Sequence, residues 1–192
     1  MTFKKKYLGL AMAIIMAVSG VVYAASLSST IRVNVIADLT NALDLVTSSA
    51  PLASNNTFTF TNGTGANKVQ TIFSDRRTLT ASATEDIDLS GALTDGLGAT
   101  VSMTKMKGLI VKASSANTNN VQVGGNPSNG FPMAGVFADT TDIISVKPGG
   151  MFVFISPDAN GVAVSAGSAD TFKIANSAGS TSVIYDIIVM GE

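Results

Sequence analysis

The sequence of 192 residues contains no cysteine, no histidine and no tryptophan. Without histidine, the chain lacks the side chain that most often serves as an acid or base near neutral pH and that most often binds metals. Without cysteine, it can form no disulfide, no thiolate nucleophile and no zinc–thiolate site. The sequence therefore excludes the enzymes and metal proteins whose chemistry depends on these residues.

Charged residues are also scarce, at 13% of the chain, whereas hydrophobic residues make up 46%. A chain of this composition can bury a core and differs from intrinsically disordered sequences. The formal net charge is −1, and removal of residues 1–24 would take away Lys4, Lys5 and Lys6 and leave −4. No basic patch would remain, so we expect no binding to nucleic acid.

Residues 1–24 have the pattern of a secretory signal peptide. The three lysines precede an uncharged run that begins at Tyr7, and Val22 and Ala24 supply small residues before a cleavage site. The alternative is an uncleaved membrane anchor over residues 7–24, because the apolar run extended to Thr30 is long enough to span a bilayer. In both cases we expect export through the inner membrane, to the periplasm, the medium or a virion.

The rest of the chain predicts β-strands. Short runs of alternating apolar and polar residues are separated by turn signals about every eight to twelve residues, which is typical of sandwiches and barrels. We therefore predict an all-β chain, an antiparallel β-sandwich of jelly-roll-like type with about ten short strands, preceded by an N-terminal hydrophobic helix. The candidate strands are Thr30–Ala37, Thr57–Thr61, Lys68–Phe73, Arg77–Ala83, Glu85–Leu89, Val101–Ser114, Val121–Val123, Met133–Ala138, Ile143–Val146, Met151–Ile155, Val162–Ser165, Thr171–Ala175 and Val183–Met190.

This pattern divides the chain into three parts. Residues 1–24 are the signal peptide or anchor, residues 25–56 an N-terminal extension with one strand, and residues 57–192 the sandwich domain. Pro51 and the polar run after it predict a loop. Gly108, inside the longest candidate strand, predicts a bulge or bend.

Glu85, Asp86 and Asp88 form the one dense acidic cluster of the sequence. In a strand, Asp86 and Asp88 share one face while Glu85 points to the other. The favoured interpretation is a solvated strand edge. The alternatives are a calcium site at Asp86 and Asp88, or the acid and base of a glycosidase. We therefore expect no catalytic residue, no cofactor and no small-molecule substrate, with Asp86 and Asp88 as the remaining calcium candidates.

Two further polar motifs have ordinary structural interpretations. Residues 158–161, Asp-Ala-Asn-Gly, look like part of a calcium loop, but they lack its further acids, and an Asx turn explains them. Asp75 can form an ion pair with Arg76 or Arg77. The alternative for this charged segment is contact with a partner subunit.

Turn and strand residues from Phe60 to Glu192 carry a resemblance to known proteins. They are Thr61–Asn67, Phe73–Leu79, Asp88–Leu89, Gly91, Leu93, Val123–Gly125, Pro148–Gly150, Pro157–Asp158, Gly161, Ala169–Asp170, Asn176–Ser177, Tyr185–Ile187 and Gly191. Together they resemble small phage and prophage proteins, which look like virion-associated structural components. The N-terminus departs from that pattern, because the proteins of a tailed-phage head assemble in the cytoplasm. It favours a virus whose coat passes through or sits in a membrane, or a bacterial surface protein.

The function expected from these observations is that of a structural subunit of a virion or extracellular assembly, without enzymatic activity. We expect self-association or contact with other structural subunits, and membrane attachment through residues 7–24 if they are retained. The alternative is a secreted or cell-surface binding module, for instance for glycans.

Overall fold

The structure, a computed structural model, describes residues 26–125, 129–130, 137, 139 and 141–192. This part of the chain has fourteen β-strands and no helix, which confirms the all-β prediction; none of it is a helix that could cross a membrane. The predicted N-terminal helix and most of the predicted strand Met133–Ala138 lie outside the described residues. The strands are β1 (Ser28–Ala42), β2 (Thr47–Asn62), β3 (Lys68–Val69), β4 (Thr71–Leu79), β5 (Thr84–Asp88), β6 (Ser90–Thr94), β7 (Thr100–Ser102), β8 (Lys105–Ala113), β9 (Val121–Gly124), β10 (Ile143–Val146), β11 (Met151–Ile155), β12 (Val162–Ala163), β13 (Thr171–Asn176) and β14 (Val183–Gly191).

Two antiparallel sheets contribute to the main hydrophobic core. One has the order β11-β8-β14-β4, with β12 also paired to β8, and the other has the order β10-β9-β13-β5. Phe172 and Ile174 of β13 belong to the same buried cluster as Leu109 and Val111 of β8. Along β14, the alternating residues 183, 185, 187 and 189 are fully buried, as their period-two pattern predicts.

Two predicted strand boundaries were wrong, and one predicted irregularity is confirmed. β4 runs unbroken through residues 74–76, which the sequence placed between two strands; their polar side chains are exposed, so they do not interrupt the backbone pairing with β14. The segment Val101–Ser114 is two strands, because the amides of Met103 and Thr104 turn to the carbonyls of Leu89 and Glu192. The predicted irregularity at Gly108 is confirmed: the β8–β14 register shifts beside it, and residue 107 has no opposite partner.

β1 and β2 form a long hairpin, of which the sequence predicted only parts. The register runs without a break from Ser28 opposite Thr61 to Ala42 opposite Thr47, so β2 crosses the predicted boundary between residues 56 and 57. The prediction of a loop at Pro51 was wrong, since Pro51 lies in β2. At Pro51, β2 has a neighbouring strand on one side only. Proline has no N–H, and it is tolerated at such an edge position because no strand on the other side needs that donor.

The base of the hairpin packs on the side of the five-stranded sheet that faces away from the main core. Phe60, Val69 and Met190 are buried there. They form a second hydrophobic cluster with the partly buried Leu27, Ile31, Phe58, Ile72, Ile155 and Ile188. We call this side of the sheet the outer face. The register places its side chains in rows across the strands, and the hairpin base covers the row that contains Ile72 and Met190.

Candidate functional site

The most unusual surface of the described chain is the distal part of the β1–β2 hairpin. We call residues 33–56 the arm. Every arm residue except Ser54 is exposed. The arm ends in a turn at residues 43–46, where the Leu43 amide donates to the Val46 carbonyl over 2.9 Å. Strands normally bury at least one face, so a hairpin of this length with both faces exposed to solvent is an exception.

One face of the arm is apolar. Val33, Val35 and Leu39 lie on the same side of β1, and Leu52 lies on that side of β2, opposite Ala37. This side is continuous with Ile31 and Phe58, which already pack on the outer face. Leu39 is 77% exposed, and Leu45 at the tip is 99% exposed. The opposite side of the arm is mostly polar and contains a hydrogen bond from Ser49 to Asp38 of 2.6 Å.

The outer face presents a second apolar surface. Next to the row that the hairpin base covers, Val153, Ile110 and Ile188 form a row across β11, β8 and β14. Val153 is 36% exposed, and the other two are partly exposed. Met151 and Ile184, on the same side of the sheet, are also exposed. The apolar surface under the hairpin base thus extends into an area of the outer face that is exposed to solvent.

An ion pair lies across the next row of the outer face. Arg76 donates to both carboxylate oxygens of Asp186, at 2.6 and 3.0 Å. This contact lowers the pKa of Asp186. Of the two partners expected for Asp75, Arg77 is the one in contact, at 3.1 Å, whereas Arg76 pairs with Asp186. Two open depressions of about 320 and 560 Å³ border the Arg76–Asp186 pair.

The calcium candidates Asp86 and Asp88 lie on one side of β5, with the fully buried Ile87 between them. Asp88 accepts the backbone N–H of Ser90 at 2.7 Å, and Asp86 lies opposite Lys173 in the register. Among the described residues, no three acidic, histidine or cysteine side chains come together as a metal site would require. This placement agrees with a solvated strand surface.

Residues 158–161 form the Asx turn that the sequence predicts. The Asp158 carboxylate accepts the hydroxyl of Ser156 and the backbone N–H groups of Asn160 and Gly161, the last two at 2.7 and 3.0 Å. These hydrogen bonds lower the pKa of Asp158 to about 2. The carboxylate therefore has intramolecular partners for the lone pairs that a cation would need.

The turn also helps to hold a buried ion pair. Lys107 is 0% exposed, and its Nζ lies 2.9 Å from Oε1 of Glu192, whose side chain is 2% exposed. The Lys107 ammonium also donates to the carbonyls of Asp158 and Gly65. Burial raises the pKa of Glu192, but Lys107 and the hydrogen bond from the Gly65 amide lower it by more, so the net shift is downward. The carboxylate is therefore charged at neutral pH.

A second buried cluster connects the two sheets. Tyr185 is fully buried, and its hydroxyl donates to Glu85 of β5. Arg77 donates to the other Glu85 oxygen and lies 5.5 Å from the centre of the Phe73 ring. Burial and then the contact with Glu85 raise the pKa of Tyr185, so its hydroxyl stays protonated. This arrangement gives Glu85 a structural use that the sequence did not indicate.

Neither the Lys107–Glu192 pair nor the Tyr185–Glu85 contact could be found from sequence spacing. The partners are far apart in the chain. Lys107 and Glu192 meet where the start of β8 lies beside the end of β14, whereas Tyr185, near the other end of β14, meets Glu85 of the other sheet. The sequence predicted β1 only as far as Ala37 and no strand over residues 38–56, because the exposed strands of the arm lack a continuous period-two pattern. A comparison with models of known protein families and one with curated proteins each found no match.

Proposed function

We propose that this chain is a structural subunit without enzymatic activity, which joins an exported assembly, such as a virion, through its arm. The body of the subunit is an antiparallel β-sandwich of jelly-roll type, related to the phage and prophage proteins that the sequence resembles. Residues 1–24 direct the export.

The strand order supports the jelly-roll body. We count in chain order the eight strands that form the two sheets, leaving out the short β12. One sheet then reads sixth-third-eighth-first and the other reads fifth-fourth-seventh-second. This alternation, with a shared core between the sheets, is the pattern of a jelly roll, and jelly rolls are common in viral capsid proteins and lectins. The fold alone does not select between these functions.

The exposed arm is the observation that carries the assembly function. Eight large apolar side chains of the arm are between 41% and 99% exposed. They are Val33, Val35, Ile36, Leu39, Leu43, Leu45, Val46 and Leu52. A contiguous apolar surface of a few hundred Å² is about the largest that a typical soluble monomer exposes, and such a surface often marks a contact with another protein or a membrane. An arm of this kind stabilises an assembly by burying that surface against a neighbour.

The contacts of two acidic groups, the partly buried Glu85 and the buried Glu192, support a structural role over a catalytic one. Glu85 contacts Tyr185 and Arg77, and Glu192 contacts Lys107 and the Gly65 amide. Each carboxylate thus has intramolecular partners that hold it in place. A general acid or base needs a pKa near the working pH and free access to a substrate.

Electron microscopy of the exported protein tests this proposal. We expect particles or regular multimers from the native chain. The double substitution Val35→Asp and Leu39→Asp, on the apolar face of the arm, should abolish them. The control Asn34→Asp and Thr40→Asp adds the same charge on the opposite face and should leave them intact. Dispersed single subunits from the native chain, at every concentration, would refute the proposal.

The alternative, a secreted binding module, has one observation in its favour. The depression of about 320 Å³ on the outer face is bordered by the charged side chains Arg76, Lys112 and Asp186 and by Ser114 and Ser115. Polar groups of this kind can bind sugars or anions. Specific hits on a glycan array that disappear on Lys112→Ala would favour this alternative.

A further inference from the structure

We infer that the arm of one copy docks on the outer face of a second copy of this chain, with its apolar side over the row Val153–Ile110–Ile188. This inference rests on the proposed function and names the partner and the acceptor surface. Both surfaces belong to the same chain, so a homo-oligomer provides each with an occupant.

The contact within each subunit is the first argument. Ile31 and Phe58, at the base of the hairpin, belong to the cluster that covers Ile72, Met190 and Ile155 on the outer face. The apolar side of the arm continues from Ile31 and Phe58, and the apolar rows of the outer face continue from Ile155 and Met190. The arm and the exposed rows of the outer face are therefore both continuations of the contact at the hairpin base. Beyond that base the two surfaces no longer touch within one subunit, because the arm is exposed to solvent. The outer face of a second copy can bind the arm and so extend the apolar contact that starts at the hairpin base.

The area is the second argument. Ten residue pairs of the arm beyond Arg32 span ~35 Å, and a two-stranded face is ~10 Å wide, which gives ~350 Å² for one side of the arm. One arm on one acceptor would bury roughly twice that area, ~700 Å², when both partners are counted. Each copy carries one arm and one acceptor, so two such contacts bury ~1,400 Å², within the range of stable interfaces.

The experiment uses two variants, each of which disrupts a different side of the proposed contact. Val35→Asp with Leu39→Asp removes the arm contact, and Val153→Asp removes the acceptor contact. Light scattering after size exclusion gives the mass of each purified exported protein, whose N-terminus is read by mass spectrometry. We expect each variant alone to weaken association by about 30-fold or more, the loss typical of a central interface residue. An equimolar mixture should associate more strongly than either variant alone, because one intact arm can dock on one intact acceptor, but more weakly than the native chain, which has two such contacts.

Ser145→Asp is the matched control, since β10 and β11 are both edge strands but belong to different sheets. It should associate like the native chain. If Val153→Asp has an altered circular dichroism spectrum, Met151→Asp replaces it, because Met151 is 55% exposed.

Three outcomes would overturn the inference. If the arm variant dissociates but both acceptor variants assemble normally, the arm docks elsewhere, and the proposed function survives without this inference. If the native chain is monomeric in solution and floats with liposomes of neutral or anionic lipid, the arm binds a bilayer. If the native chain is monomeric and does not float, both the inference and the proposed function fail.

Discussion

Removal of the charge on Glu192 should cost more stability than any single change at the exposed ion pairs. Lys107 is completely buried, and Glu192 is the carboxylate beside it, at 2.9 Å. In Glu192→Gln the ammonium keeps its carbonyl partners but loses its counter-charge. Breaking a buried pair in this way typically costs about 3–5 kcal/mol. For a domain of this size, each kcal/mol lowers the Tm by about 2–4 °C, so the expected loss is roughly 6–20 °C.

A double-mutant cycle with Lys107→Met separates the pair from its surroundings. Lys107→Met alone should also destabilise, because it leaves Glu192 as a buried charge, whereas the double variant should recover a large part of the loss. Urea denaturation at pH 7 gives the free energies of unfolding. Asp186→Asn, at the exposed pair with Arg76, is the control and should change the midpoint little. If Glu192→Gln proves as mild as Asp186→Asn, the buried pair does not have the role assigned to it.

Three further predictions follow from other contacts. Acidification should lower the urea midpoint, because the folded-state pKa of Glu192 is lowered and that of Asp158 is about 2. The stability that these two charged carboxylates contribute is complete above their unfolded pKa near 4 and is lost as the pH falls through their folded pKa values. A midpoint that stays flat from pH 5 to 2 would contradict this. Asn176→Ala should cost about 1–3 kcal/mol, because it removes two hydrogen bonds from the side-chain amide to backbone carbonyls, at 2.7 and 3.0 Å; an unchanged midpoint would refute this. Gly191→Ala should destabilise more than Gly108→Ala, because the added Cβ meets a backbone carbonyl at residue 191 but the flexible end of a methionine at residue 108; the reverse order of Tm values would contradict the packing described.

The body of the fold was predictable because its strands each have one buried side. β13 and β14 are short, mostly apolar runs, and the polar turn of residues 177–180 lies between them, so the sequence placed both strands to within one residue at each end. The sequence also placed Asp86 and Asp88 on one side of a strand. Turn chemistry was equally local, since Asp158 accepts amides two and three residues ahead of it.

The candidate site was predictable only in part, because its features are non-local. An exposed hairpin such as the arm shows no burial pattern, and Pro51 suggested a loop although an edge position tolerates proline. The row Val153–Ile110–Ile188 combines residues from three separate strands. The bulge beside Gly108 was indicated by the glycine, but its consequence, the buried Lys107–Glu192 pair, depends on the last strand of the chain.

Sedimentation equilibrium of the exported protein over a hundredfold range of concentration is the most direct test of assembly through the arm. If the chain assembles through the arm, its mass should rise with concentration to multiples of the subunit mass. The Val35→Asp and Leu39→Asp variant should keep the monomer mass throughout, and the Asn34→Asp and Thr40→Asp control should follow the native chain. A native chain that stays at the monomer mass, or an arm variant that associates as the native chain does, would contradict the account.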